Sequence, residues 1–219
     1  MKEVLLRSIE NIDWITLILC CSITTLVLAK KIYYGRFTNF IILPFNNKYI
    51  FLYNKKDKLS HWFTIFLSIF QLLNFTLFLY FIDSIFKLSH HINTPFTYII
   101  ALGILIAFFF SKLILHLCNA FVFNMQGAIS EFLFKKISYF NYSSLIMFVA
   151  NILLAYILKD SKIVIYITAL LIAAINILGW VTAIRNHQKL ITNNFFYFIL
   201  YLCALEIAPL VLLGDYFKD

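Results

Sequence analysis

Charge is what this sequence most conspicuously lacks: Asp, Glu, Lys and Arg make up 13% of its 219 residues, against roughly 25% in an average soluble domain. Five Gly and three Pro exclude collagen-like and low-complexity chains, and four Cys are too few for a disulfide scaffold. Acids are scarcer than bases, ten against 18. What fills the chain instead is apolar: 63% is AVILMFWYC, including 25 Phe and 13 Tyr. A water-soluble globular domain is excluded by that balance, and a multi-pass helical membrane protein remains.

A spanning helix needs about 20 apolar residues at about 1.5 Å rise each. Six runs of that kind stand in the sequence, at Trp14 to Ala29, Trp62 to Ile82, Phe96 to Phe123, Tyr139 to Ile157, Ile163 to Ile184 and Phe195 to Leu213. The expected fold is therefore all-α, a polytopic bundle of six transmembrane spans forming one integral membrane domain over residues 1–219. The start carries acids as well as bases, and the first run leads into Lys30 and Lys31 rather than a small-residue cleavage site, so it reads as a retained anchor. Cys20, Cys21, Cys118 and Cys203 fall inside the runs without metal-ligand spacing and read as small packing residues. Trp14, Trp62, Tyr139 and Tyr156, near run ends, fit an interfacial aromatic belt.

In a soluble protein the excess of bases would point to nucleic acid, but here their location decides. Residues 30–61 hold Lys30, Lys31, Arg36, Lys48, Lys55, Lys56 and Lys58 against the single acid Asp57. No nucleic-acid-reading motif accompanies them, so the segment reads as a cytoplasmic loop facing anionic lipid or a protein partner. With six spans, the loops on that side carry eleven bases and the other side six, Lys112 lying within the third span; both termini are then expected on the outer, periplasmic face. Within the basic loop, Phe40 to Leu43 and Tyr49 to Tyr53 are short β-favouring runs split by Pro44. They admit a β-hairpin or a segment lying on the bilayer surface, and they are too apolar for a solvated linker.

Chemistry-bearing residues inside the runs are few. Glu206 lies deep in the last run, where a carboxylate costs on the order of 2.5–3.5 kcal/mol on insertion scales, so protonation or a partner must compensate. Pro209, three residues on, frees the carbonyl of Leu205 and predicts a kink. Lys112, His116 and Asn119 share one face of the third span. They admit a proton path in which Lys112 pairs with Glu206 and His116 relays; the favoured reading is that Lys112 snorkels to the headgroups while His116 and Asn119 bond neighbouring helices. Gln71, Asn74, Asn151 and Asn176 read as interhelical glue, and His61, His90 and His91 lack metal-ligand spacing. Walker, GxGxxG, HExxH and GxSxG motifs are absent, as are clustered aspartates. No catalytic residue, metal or cofactor is expected.

The last run, with Tyr201, Cys203, Leu205, Glu206, Ile207 and Pro209, resembles the closing segment of a family of uncharacterised bacteroidete integral membrane proteins, catalogued as a domain of unknown function. From about Lys58 onward the resemblance extends to length, topology and hydropathy. It implies a bacterial inner-membrane location and brings no activity. The leading functional expectation is a non-enzymatic subunit or assembly factor of a cell-envelope complex, with the basic first loop as its contact surface. The alternative is a small proton-linked transporter or channel subunit using Glu206 with Lys112 or His116.

Overall fold

The computed structural model describes residues 13–46, 48–53, 61–86, 95–122 and 126–186, and in these every regular element is helical. Five helices are long and apolar enough to cross a membrane: Asp13–Ile32, Trp62–Phe86, Phe96–Leu115, Ser130–Ile157 and Lys162–Thr182. These carry the fold of a multi-pass membrane protein, in which each helix satisfies its own backbone groups. The sixth expected run, Phe195 to Leu213, lies outside the described residues.

Helix α1 (Asp13–Ile32) opens on Asp13 and closes on Lys30 and Lys31, charges that oppose the helix dipole at both ends. Two short helices follow, α2 (Tyr34–Ile41) and α3 (Lys48–Tyr53). Helix α4 (Trp62–Phe86) begins where the His61 carbonyl accepts the Thr64 N–H at 2.9 Å and His61 Nδ1 accepts the Phe63 N–H at 3.2 Å. That double cap accounts for His61, which also meets Tyr33 edge to face. Helices α5 (Pro95–Val122), α6 (Gln126–Ile152) and α7 (Lys162–Asn186) complete the set. The α6 helix widens into a π turn at Leu153–Ile157, where the Leu158 N–H reaches the Leu153 carbonyl at 2.7 Å. A tight reversal follows, with Asp160 at φ 59°, a left-handed conformation that Asp tolerates better than most residues.

Packing falls into two apolar clusters, one near each end of the bundle. At one end Ile15 and Leu19 of α1 meet Leu77, Phe78 and Phe81 of α4, Tyr98 of α5, Ala150 and Leu154 of α6, and Val164 and Ile165 of α7. At the other, Ala29, Phe63, Leu67, Phe134 and Tyr139 close around Phe37, Phe40, Leu43, Tyr49 and Ile50 from the α2–α3 segment. It follows that α4 and α6 run in one direction and α1, α5 and α7 in the other. Helices α4 and α6 form the centre, with nearly half of each apolar stretch buried, whereas only 6% of the α5 stretch is buried. The end carrying α2 and α3 is called the platform end below, and the other the far end.

Several sequence expectations change here. The basic loop contains helices instead of a β-hairpin, and its apolar residues serve two surfaces. Phe40, Leu43, Tyr49 and Ile50 are buried against the bundle, while Ile41, Ile42, Phe45 and Leu52 face outward. Tyr139, read as a belt residue, is buried and sits under Gly179 of α7, where an added Cβ would lie 2.7 Å from the Tyr139 ring. Trp14 packs into the bundle against Tyr80 and Tyr98, with ring centroids 5.0 and 5.7 Å away; Trp62 and Tyr156 remain exposed. Cys20, Cys21 and Cys118 are free thiols on outward faces instead of packing residues, and Cys203 lies outside the described residues.

Candidate functional site: a polar seam and a basic platform

Between the two apolar clusters the α4–α6 seam turns polar. Gln71 and Asn74, one turn apart on α4, are buried, as are Asn141, Ser143, Ser144 and Asn151 on α6. Asn151 Nδ2 donates to the Asn74 carbonyl at 2.9 Å, and Asn74 Nδ2 donates to the Phe70 carbonyl at 2.8 Å. On the neighbouring seam, Asn176 Nδ2 of α7 donates to Ser143 Oγ at 3.1 Å. The expected gluing role of Asn74, Asn151 and Asn176 is therefore visible as interhelical bonds. Gln71 differs: its Nε2 has no partner among the described residues, and the same holds for Thr64 Oγ1, Asn141 Oδ1 and Asn151 Oδ1.

Toward the platform end a residue that sequence reasoning placed in a loop proves to be buried. Helix α6 begins at Gln126, so Lys135 and Lys136, which fall between the third and fourth expected runs, are helical. Lys135 is fully buried and its Nζ lies 3.0 Å from Glu131 Oε1 one turn earlier, with Glu131 partly open to solvent. An ammonium in such a place requires a partner, because desolvating an unpaired charge costs several kcal/mol. The same end of the bundle is rich in aromatic contacts: Tyr49 stacks on Phe134 at 5.8 Å and Phe40 meets Tyr142 at 5.8 Å. The i, i+4 spacing of Glu131 and Lys135 was the available sequence signal. The apolar run seemed to start only at Tyr139, which hid it.

The bases of the first loop divide. Lys30, Lys31 and Lys48 are exposed, whereas Arg36 stacks over the Tyr53 ring at 4.4 Å and helps pin α2 to α3. Lys55, Lys56 and Lys58 lie outside the described residues. Lys136 sits 5.9 Å from the Trp180 ring centroid, so it too belongs to the platform end. The far end instead carries Asp13, Asp83, Lys159, Asp160 and Lys162, a mixed set. Lys112 is half-buried on α5, 14 residues or about 21 Å beyond Tyr98 and so toward the platform end. His116 and Asn119 share its helix. Glu206 and Pro209, the other intramembrane candidates, lie outside the described residues, as do His90 and His91.

What the described residues make is a membrane bundle with a polar middle, an ion pair whose lysine is buried, and a basic, two-sided cap. The chain belongs to the family described as a domain of unknown function, DUF4271, which matches residues 14–217. No curated protein and no solved structure matches it.

Proposed function

We propose that this chain is a non-enzymatic inner-membrane subunit or assembly factor of a cell-envelope complex, oriented with the platform end toward the cytoplasm. The observation that carries the reading is the two-sided α2–α3 cap. One side is locked into the bundle by Phe40, Leu43, Tyr49 and Ile50, while Lys30 and Lys31 at the end of α1 and Lys48 at the start of α3 are exposed. A rigid basic surface fixed to a membrane anchor suits binding to an acidic face of a partner protein or to anionic headgroups. A proton-linked transporter or channel subunit using Glu206 with Lys112 or His116 is the second reading, favoured by the buried polar groups of the α4–α6 seam.

The subunit reading is tested by purifying the tagged chain, expressed at native level, in mild detergent. Partner chains in fixed ratio are expected. Replacing Lys48, Lys55 and Lys56 by Gln, which still leaves eight bases against six on the two sides, should deplete them about tenfold or more, since each lysine near an anionic surface is worth about 1 kcal/mol, without changing insertion or melting. A wild-type chain that purifies alone even after in-cell cross-linking overturns the reading.

A further inference from the structure

Among the described residues, four buried side-chain atoms lack a hydrogen-bond partner, and they fall into two sets on one seam. Asn151 packs directly on Asn74, and Gln71 lies one turn before Asn74 on the same helix. Ten residues earlier on each of these helices stand Thr64 and Asn141. Because α4 and α6 run in the same direction, the two sets lie at two levels, Thr64 about 10 Å before Gln71 along α4 and Asn141 about 15 Å before Asn151 along α6. The upper level holds an unsatisfied donor, Gln71 Nε2, and an unsatisfied acceptor, Asn151 Oδ1. The lower level holds the Thr64 hydroxyl, which can donate, and an unsatisfied acceptor, Asn141 Oδ1. All four residues are more than nine-tenths buried.

Leaving such groups unpaired costs about 1–3 kcal/mol each, and native interiors satisfy nearly all of them. A ligand that satisfies a buried donor and a buried acceptor together is one that accepts from the first and donates to the second. Water does this in one molecule. A bare cation is disfavoured by the Gln71 amide donor, and an anion by the carbonyl oxygens of Asn141 and Asn151.

We propose that the α4–α6 seam is a hydrated site inside the bundle, holding bound water at two levels, Gln71 with Asn151 and Thr64 with Asn141. The seam thereby holds exchangeable protons inside an otherwise apolar bundle. This goes beyond the subunit reading and does not rest on it.

Met147 reports on the seam, since it is 1% exposed and stands one helical turn from both Ser143 and Asn151. Radiolytic hydroxyl-radical labelling of the full chain in lipid nanodiscs, read by mass spectrometry, generates radicals from bound water in place. Met147 should be oxidised in proportion to dose despite its burial. In the double variant Gln71→Leu, Asn151→Leu, which removes the polar groups of the upper level, its rate should fall about fivefold or more, with labelling of the exposed Trp62 unchanged. A misfolded variant would give the opposite sign, more labelling everywhere, and the wild-type result then decides alone. Met147 unlabelled at doses that label Trp62, or labelled equally in a folded double variant, overturns the proposal.

Discussion

At the scale of single residues, the close approach of α7 to α6 at Gly179 sets the sharpest stability expectation. Gly179 lets α7 lie directly on the Tyr139 ring, and a Cβ there would fall 2.7, 2.8 and 2.9 Å from Tyr139 Cγ, Cβ and Cδ2. Those atoms are the root of a buried side chain, so they cannot swing aside as a flexible tip would. Gly179→Ala should therefore separate α6 from α7 and destabilise the bundle by about 1–3 kcal/mol, the usual cost of overpacking. Gly103→Ala meets nothing within 4 Å and should be neutral or slightly stabilising through helix propensity. Thermal melting of both variants in detergent checks the contrast, and equal melting would mean that the α6–α7 contact is looser than the structure has it. None of this was legible in the sequence. A glycine inside an apolar run announces neither a close approach nor the tyrosine beneath it, and Tyr139 at a run boundary has the signature of a belt residue. Lys135 was hidden in the same way, because window hydropathy treats every lysine as an edge, whereas helix α6 carries this one inside with Glu131 beside it.

Among the elements, the α2–α3 cap departs furthest from its sequence signature. Its alternating apolar residues read equally well as strands; the deciding factor is tertiary, since Phe40 and Leu43 on one helix-and-turn and Tyr49 and Ile50 on the next converge on Phe63 and Phe134. The same geometry turns Ile41, Ile42 and Phe45 outward, and Phe45 is 90% exposed. A phenylalanine in that state gains about 1.5–3 kcal/mol by entering an apolar medium, and the nearby Lys30, Lys31 and Lys48 add about 1 kcal/mol each beside anionic headgroups. The turn should therefore rest in the headgroup boundary when the chain is surrounded by lipid alone. A nitroxide on Phe45→Cys, in a background with Cys20, Cys21, Cys118 and Cys203 replaced by Ala, should collide more with dissolved oxygen than with a water-soluble nickel chelate. The same label at Asp160 should show the reverse. Preference for nickel at both sites would assign the outward face of the cap to water or to a protein partner and remove the bilayer from the picture.

For the molecule as a whole, run length and hydropathy were enough to read a helical membrane bundle. Five of the six expected runs correspond to long apolar helices, because a spanning helix needs little from its neighbours to be recognisable. The polar seam was half legible: Asn74, Asn151 and Asn176 stood out as amides in apolar runs, but which atoms remain unpaired depends on helix register, to which hydropathy is blind. Orientation is the property in which all scales meet. Every described base from Lys30 to Lys48, together with Lys135 and Lys136, gathers at the platform end, while the far end holds Asp13, Asp83 and Asp160 with Lys159 and Lys162. An imbalance of that sign supports the proposed cytoplasmic orientation of the platform. In a chain stripped of its native cysteines, Lys48→Cys should react with an impermeant maleimide only in inverted vesicles, and Asp160→Cys only in right-side-out ones. Helices α1, α4, α5, α6 and α7 carry the chain across five times, so residue 186 ends at the platform end. The run Phe195 to Leu213 then returns it if it crosses. Lys218→Cys should accordingly label together with Lys2→Cys from the outer side. Labelling of Lys218→Cys from the side of Lys48→Cys would limit the bundle to five crossings and take Glu206 out of the membrane interior, and with it the proton-linked reading.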